Sequence, residues 1–125
     1  MKEIMAIIRM NKVNETKQAL AEIGICGLHA IKVRGRGKVP VDFAVLEGLG
    51  REEAGAILAE GLARGGRLIP KRLLTILVPD HAVEKVVSTI IRVNQSGNKG
   101  DGKIFIAPLA DACRIRTGER GEAAI

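Results

Sequence analysis

The sequence predicts an α+β fold in which two β-α-β units follow one another, and two patterns support this expectation. Runs rich in Ile, Val and Leu alternate with segments whose apolar residues recur at helical spacing. Each half of the chain shows the order strand, helix, strand. Residues 39–67 separate the halves and are punctuated by glycines, and an irregular connection of this length is usually functional or disordered.

The first half begins with a strand-like run at residues 3–10. A helix is expected at residues 12–23, and Gly24 stands where a glycine commonly ends a helix. Residues 28–34, which are rich in Ile and Val, form the second predicted strand. A basic, glycine-spaced turn at residues 34–38 closes that strand.

The long connection contains a further helical pattern between Arg51 and Arg64. Acidic residues occur early in this segment, which favours a helix because they complement the positive end of its dipole. This amphipathic helix either folds back on its own domain or docks on a partner protein. The candidate docking residues are Ile57, Leu58 and Leu62.

The second half predicts a strand at residues 72–79, preceded by Pro70. Asp80 is a favourable N-cap for the helix that follows, whose apolar residues again recur at helical spacing. A glycine-rich turn ends that helix. A fourth strand is expected at residues 104–116, with an interruption near Pro108.

This order of elements predicts the ferredoxin-like fold, βαββαβ, in which two helices cover one face of an antiparallel sheet. The long connection then joins the second and third strands. We expect residues 1–125 to form a single domain, because the length suits one hydrophobic core.

The composition indicates an anionic partner. The formal net charge is +6 and the sequence pI is about 9.8, which suits a nucleotide, a nucleic acid or an acidic metabolite. A basic ferredoxin-like nucleic-acid-binding domain is therefore one alternative. The chain has two Phe and neither Trp nor Tyr, so it offers few aromatic rings on which bases could stack.

No residue pattern predicts catalysis or a metal site. His29 and His81 have no visible nucleophile or carboxylate partner, and Cys26 and Cys113 lack the spacing of metal ligands. Isolated cysteines are typical of a reducing compartment, and no apolar run reaches the ~18 residues of a membrane span. We therefore expect a cytoplasmic protein that is not an enzyme and does not insert into a membrane.

The stretch from Ser96 to Ile106 is the most informative part of the sequence. Its glycines permit positive φ angles, and successive backbone N–H groups in such a turn can hold an anion. The spacing from Gly97 to Lys103 is that of a P-loop, but Ile104 replaces the hydroxyl residue that a P-loop requires. The alternatives are a phosphate cradle of another kind and an ordinary hairpin turn with solvated lysines.

Other basic residues cluster elsewhere. Arg114 and Arg116 are two apart on a predicted strand, so we expect both to point to one face, where arginine forks suit phosphate oxygens. Lys71 precedes an apolar strand and could either pair with a carboxylate ligand or extend along the sheet surface. A solvated basic sheet face is the alternative interpretation of Arg114 and Arg116.

Several segments resemble the PII family of nitrogen-regulatory signal-transduction proteins. The run from Gly100 to Phe105 and the close from Arg114 to Glu119 are the most specific. The other similar segments are Met1–Ile4, Ala19–Ile25, Gly35–Lys38, Pro70–Lys71, Val78–Asp80 and Thr89–Arg92.

The resemblance implies a ferredoxin-like protomer in a homotrimer, or in a heteromer with a paralogue. ATP or ADP would bind as an effector in the clefts between subunits, and 2-oxoglutarate would bind beside it at the base of the T-loop, roughly residues 39–67. The implied nucleotide-binding residues are Ile7, Gly35, Lys38, Leu77, Gly100, Asp101, Gly102, Lys103, Arg114 and Arg116. The implied 2-oxoglutarate-binding residues are Arg9, Gly37, Lys71 and Gly100.

The sequence also departs from the family pattern. Members that bind 2-oxoglutarate through Mg²⁺ usually have Gln where this chain has Val39. This departure weighs against both Mg²⁺ binding and 2-oxoglutarate binding. Nucleotidylation of a tyrosine is excluded, because the chain has none. The long T-loop resembles that of the nitrogenase-associated branch of archaea and anaerobic bacteria, which implies nitrogenase as the target protein. An ammonium transporter is the other candidate.

Overall fold

The computed structural model describes most of the chain outside the long connection. Of the predicted amphipathic helix at residues 51–64, only Glu52 and Gly55 are among the described residues. Lys38, Val39 and the docking candidates Ile57, Leu58 and Leu62 lie outside them. The described residues are 1–37, Gly50, Glu52, Gly55 and 68–125.

Four antiparallel strands form one sheet in the order β2-β3-β1-β4. In the described part of the chain, two α-helices accompany them, and the element order confirms the predicted ferredoxin-like fold. The strands are β1 Lys2–Ile8, β2 His29–Gly35, β3 Ile69–Val78 and β4 Lys103–Pro108. The helices are α1 Val13–Glu22 and α2 Val83–Asn94.

The hydrophobic core lies between the sheet and the two helices. Alternate residues of β1 and β3 point into it, as the two-residue period of a strand requires, and the helices contribute aliphatic side chains from above. Burial of these side chains is the main source of stability for the fold. The buried core residues are Ile4, Ala6, Ile8, Leu20, Leu74, Ile76, Val78, Val86 and Ile90.

Helix α1 ends as the sequence predicts. Gly24 has a φ of 86°, and its N–H donates to the carbonyl of Ala21 at 2.9 Å. The N–H of Ile25 donates to the carbonyl of Leu20 at 2.9 Å. This pair of bonds is the Schellman motif, which satisfies the last carbonyl groups of a helix.

The prediction that Asp80 caps the second helix is wrong. Pro79 precedes a 3-10 turn over Asp80–Ala82, and α2 begins at Val83; among the described residues neither element has a side-chain cap. The carboxylate of Asp80 instead lies 3.0 Å from the α-amino group of Met1. Asp80 is the first residue of the 3-10 turn, and the N-cap position of α2 falls on Ala82.

A buried hydrogen bond joins the two helices. The side-chain N–H of Asn94 donates to the hydroxyl of Thr16 at 3.0 Å, and that hydroxyl donates to the carbonyl of Lys12 at 2.7 Å. Thr16 is fully buried and Asn94 is 6% exposed. Since buried polar groups without partners are costly, this pair fixes how α1 and α2 sit against each other.

The bounds of two strands differ from prediction. Strand β3 begins at Ile69 and includes Pro70, which pairs with Arg34 of β2. Proline is tolerated there because β1 reaches only as far as Arg72, so the other side of Pro70 has no strand beside it. Strand β4 ends at Pro108, not at residue 116, since proline cannot donate to a sheet.

The last segment turns back on itself after β4. A single bridge joins Cys113 to Arg120, and a 3-10 turn covers Gly121–Ala124. The carboxylate of Asp111 accepts hydrogen bonds from the guanidinium of Arg120 at 2.5 and 3.0 Å. Over the described residues, no helix combines the length and the hydropathy that crossing a bilayer requires.

Candidate functional site

The register of the sheet gathers several predicted site residues at one end, which we call the turn end. There Ile7 of β1 lies opposite Lys103 of β4, and Gly35 of β2 lies opposite Ile69 of β3. Arg9 follows β1 directly, and Lys71 stands near the start of β3. The turn between α2 and β4 also reaches this end.

That turn runs from Ser96 to Gly102 and depends on positive φ angles at three glycines. The φ angles are 85° at Gly97, 93° at Gly100 and 116° at Gly102. L side chains rarely adopt such angles, so the glycines allow a tight course that other residues would not. The sequence pattern of glycines therefore has the conformational role that it predicted.

Gly102 is also needed for a steric reason. A Cβ atom built at this residue would lie 1.9 Å from the carbonyl oxygen of Ile7 and 3.0 Å from its carbonyl carbon. The turn thus rests against the backbone of β1 without space for a methyl group.

Asp101 organises the inside of the turn. One carboxylate oxygen accepts the backbone N–H groups of Ser96 at 2.8 Å and Gly97 at 3.0 Å, and the other accepts the hydroxyl of Ser96. Partial burial acts to raise the pKa of Asp101, but hydrogen bonds from Ser96 and Arg9 outweigh it and lower the pKa to about 2. Asp101 is therefore a carboxylate at neutral pH.

Arg9 reaches the same turn from β1. Its guanidinium donates at 2.5 Å to the Asp101 carboxylate oxygen that also accepts the Ser96 hydroxyl, and at 3.1 Å to the carbonyl of Lys99. The side chain is 6% exposed, so this ion pair is largely shielded from water. Charged groups this deeply buried require partners, and the turn supplies them.

Lys71 contacts the turn from β3. Its ammonium group donates to the carbonyl of Gly100 at 2.5 Å. Burial, followed by the nearby charge of Arg9, lowers the pKa of Lys71 from 10.5 to about 8, while Asp101 acts against this. Lys71 is thus a half-buried cation for which a second anionic partner would be favourable.

An open cavity of about 490 Å³ lies beside the turn, between α2 and β4. Its walls are mostly aliphatic and come from both elements, and Asn94 and Gln95 add amide groups. Four of the residues implied in nucleotide binding line it, so the structure brings them to one concave surface. These residues are Ile7, Asp101, Gly102 and Lys103.

Other predicted site residues lie away from the turn end. Leu77 is opposite Glu3, near the far end of β3, six residues from Lys71. A strand rises about 3.3 Å per residue, so this separation is roughly 20 Å. The segment with Arg114 and Arg116 likewise starts at that far end, where the N–H of Leu109 donates to the carbonyl of Met1 at 3.1 Å.

The prediction that Arg114 and Arg116 share one strand face is wrong. Residues 115–117 form a turn, so the alternation of a strand does not apply. Arg114 donates to the carboxylate of Glu119 at 3.1 Å and to the carbonyl of Ala123 at 2.9 Å. Arg116 is exposed. The compact course of the last segment, which local turn geometry sets, replaces the expected strand.

The sheet face that the helices leave open is largely apolar. Ile31 is 55% exposed and Phe105 is 49% exposed, and Met5 and Ile7 stand on the same face. Sequence analysis did not single out this face, although the strands are apolar at both alternating sets of positions. Such strands indicate burial on both sides.

Sequence analysis also missed the internal role of Ser96 and the pairing of Arg9 with Asp101. Arg9 and Asp101 lie 92 positions apart in the chain, so no local pattern indicates their contact. Within the described ranges, no group of three or more His, Cys, Asp or Glu could hold a metal ion.

The fold and the site together define a ferredoxin-like protein with a glycine turn flanked by one buried and one half-buried cation. The family model described as "Nitrogen regulatory protein P-II" matches residues 1–119. The chain therefore belongs to the P-II family of nitrogen regulatory proteins, which confirms the resemblance inferred from the sequence.

Similar proteins include both archaeal and bacterial members. The chain is 45% identical to the "Nitrogen fixation nifHD region GlnB-like protein 2" of Methanobacterium ivanovii, covering 100% of this chain and 99% of that protein. It is 46% identical to the protein of the same description in Methanococcus maripaludis, over the full length of both. It is 40% identical to "Nitrogen regulatory protein P-II 1" of Escherichia coli strain K12, again over the full length of both.

Proposed function

We propose that this protein is a non-enzymatic sensor that binds ATP or ADP and 2-oxoglutarate and controls a target protein of nitrogen fixation. The observation that supports this most is the glycine turn at residues 96–102, held against β1 and β3 by Arg9 and Lys71. The nucleotide and the metabolite would act as effectors whose occupancy sets the conformation of the loop at residues 39–67.

The turn end suits a phosphate chain for chemical reasons. Gly100 and Gly102 let the backbone approach a ligand closely, and Lys103 at the start of β4 is exposed beside them. Ile7 lies opposite Lys103 in the pairing of β1 with β4, so it would offer an apolar contact to the nucleotide beside that lysine. Gly35 and Lys38 belong to the segment that leaves the same end of the sheet, and we include them in the nucleotide site.

The nucleotide site would be shared between subunits. Leu77 lies at the far end of the sheet, and the segment that carries Arg114 and Arg116 starts there. A second copy could present these residues at the turn. The open apolar sheet face, with Ile31 and Phe105 exposed, favours such an assembly because association would remove it from water. We propose a homotrimer, or a heteromer with a paralogue.

2-Oxoglutarate would bind next to Lys71. Its ammonium group could pair with a carboxylate of this dianion, with Gly37, Gly100 and Arg9 close to the same end of the sheet. Val39 stands where a Gln ligand would be needed for Mg²⁺, so the proposal does not route the metabolite through a metal ion.

The target is proposed from the relatives. Two archaeal relatives carry descriptions that place them in a nifHD region of nitrogen fixation. We therefore favour nitrogenase over an ammonium transporter as the protein that the loop at residues 39–67 contacts. The coupling requires that the effectors bind two loop states with different affinities.

Calorimetric titration with ATP, with and without 2-oxoglutarate, tests the proposal. Lys103→Ala should weaken ATP binding about tenfold or more, because it removes a charged donor to phosphate. Lys85→Ala, which removes an exposed lysine from α2, is the matched control and should leave the affinity unchanged. Equal affinities for Lys103→Ala and the parent protein would contradict the nucleotide site.

Two further measurements test separate parts of the proposed function. If 2-oxoglutarate leaves the ATP affinity unchanged, the metabolite-sensing part is wrong while the nucleotide site stands. Light scattering at micromolar concentration should give the mass of an oligomer. A monomer that nevertheless bound ATP with full affinity would contradict the shared clefts.

A further inference from the structure

The guanidinium of Arg9 is occupied by the turn itself. One nitrogen contacts the carboxylate of Asp101 at 2.5 Å, and another contacts the carbonyl of Lys99 at 3.1 Å. The side chain is 6% exposed. A guanidinium with these two partners and so little exposed surface bridges the two residues on either side of Gly100.

Asp101 carries this constraint to the start of the turn. The carboxylate oxygen that Arg9 contacts also accepts the hydroxyl of Ser96, and the second oxygen accepts the N–H groups of Ser96 and Gly97. One carboxylate therefore links β1 to the first residues of the turn. Hydrogen bonds to charged groups are stronger than neutral ones, so the links are firm.

Lys71 differs from Arg9 in this respect. It makes its contact to the turn through Gly100 and is intermediate in exposure. Its ammonium group could turn towards a ligand at the cost of its hydrogen bond to the carbonyl of Gly100. Arg9 would have to leave the partly buried carboxylate of Asp101 and the carbonyl of Lys99, and its own buried charge would then be unpaired, which is strongly unfavourable.

We propose that Arg9 is a positioning residue for the glycine turn, acting through Asp101 and the Lys99 carbonyl rather than by touching the bound nucleotide. The inference rests on the proposed nucleotide-binding function and deepens it. The turn is shaped before the phosphate arrives, so the ligand does not have to order residues 96–102 on binding. Pre-organisation of this kind raises affinity because it lowers the entropy cost of association.

A double-mutant cycle on ATP affinity tests this role. Arg9→Met and Asp101→Asn are each expected to weaken ATP binding about tenfold, and the double variant should be no weaker than the weaker single variant. If Arg9 contacted the ligand directly, the two losses would multiply, and that result would overturn the inference. Unchanged affinity in both single variants would overturn it as well.

Two matched variants separate position from charge. Arg92→Met removes an arginine from the exposed side of α2 and should leave the ATP affinity unchanged. Arg9→Lys keeps the charge and a donor, so it should recover at least half of the logarithmic loss seen in Arg9→Met. An Arg9→Lys variant as weak as Arg9→Met would count against a positioning role.

Hydrogen exchange in the nucleotide-free protein gives a reading that does not depend on ATP. The amides of Ser96 and Gly97 donate to Asp101, so Arg9→Met should speed their exchange about fivefold or more while the amide of Ile76 in β3 is unaffected. Unaltered exchange at Ser96 and Gly97 would refute the inference whether or not ATP binds. A parent protein that fails to bind ATP would refute the proposed function alone.

Folding of the variants is checked by circular dichroism on heating. If Arg9→Met does not fold, Asp101→Asn carries the test, because it removes the charge and keeps the shape of the side chain. Its expected results are the same loss of ATP affinity and the same faster exchange at Ser96 and Gly97. The absence of both would overturn the proposal.

Discussion

Replacement of Gly102 by alanine should destabilise the protein more than the same replacement at Gly97 in the same turn. The residue has a φ of 116°, and its added Cβ would lie 1.9 Å from the carbonyl oxygen of Ile7. Ordinary contact begins near 3.4 Å, so the two backbones would have to separate by roughly 1.5 Å, which is a severe case of overpacking.

The expected loss has two parts. A positive φ costs an alanine roughly 1–2 kcal/mol. Relief of the overlap costs about 1–3 kcal/mol more, since the first pairing between β1 and β4 must be strained or broken. The sum is about 2–5 kcal/mol, which is a large share of the ~5–15 kcal/mol by which native proteins are stable.

Urea unfolding followed by circular dichroism measures this loss, and Gly97→Ala is the matched control. Gly97 belongs to the same turn and has a φ of 85°, but a Cβ there would meet nothing within 4 Å. Gly97→Ala should therefore show the cost of the φ angle alone, about 1–2 kcal/mol.

The difference between the two variants isolates the overlap with Ile7. Equal losses for Gly102→Ala and Gly97→Ala would show that the turn can move away from β1 at little cost. That result would refute the close approach on which the reasoning depends.

Two further predictions concern the buried polar groups. Thr16→Val should lower the free energy of unfolding by about 1–3 kcal/mol, because it removes the partner of Asn94 on α1. Thr89→Val is the control: it removes a hydrogen bond within α2 and should cost less. Equal losses in urea unfolding would contradict the cross-helix role. Lys71 has a pKa of about 8 when folded and 10.5 when unfolded, so the unfolded chain binds more protons between these values and stability should rise with pH there. The measurement is the difference in free energy of unfolding between the parent protein and Lys71→Met. That difference should increase by less than about 3 kcal/mol between pH 8 and 10.5, because water screens the half-buried charge. A difference that does not change over this pH range would refute the prediction.

Local chemistry explains which parts of the fold could be predicted from the sequence. Gly24 ends α1 because a C′ glycine needs only the preceding helical turn. The helical spacing of α2 and the period of β1 and β3 also report on neighbouring residues alone. The same holds for the positive φ angles in the turn, since glycine is the residue that adopts them freely.

Distant contacts explain the errors. Asp80 has the chemistry of an N-cap, but the N-cap position of α2 falls on Ala82, and the Asp80 carboxylate lies 3.0 Å from the α-amino group of Met1. Pro70 could not be placed inside a strand without knowledge that β1 ends beside Arg72. The segment after Pro108 is expected from its sequence to continue the strand to Arg116, yet turns and ion pairs within the segment decide its course.

By itself the sequence determined the order of the elements, the glycine-rich turn and the membership of the P-II family, because each depends on residues close together in the chain or on similarity along it. Only the tertiary structure decided that Arg9 and Lys71 close on that turn and that Asp101 faces inward. Those contacts join residues 92 and 29 positions apart. Their geometry follows from the strand register, which the packing of the whole sheet against the helices sets.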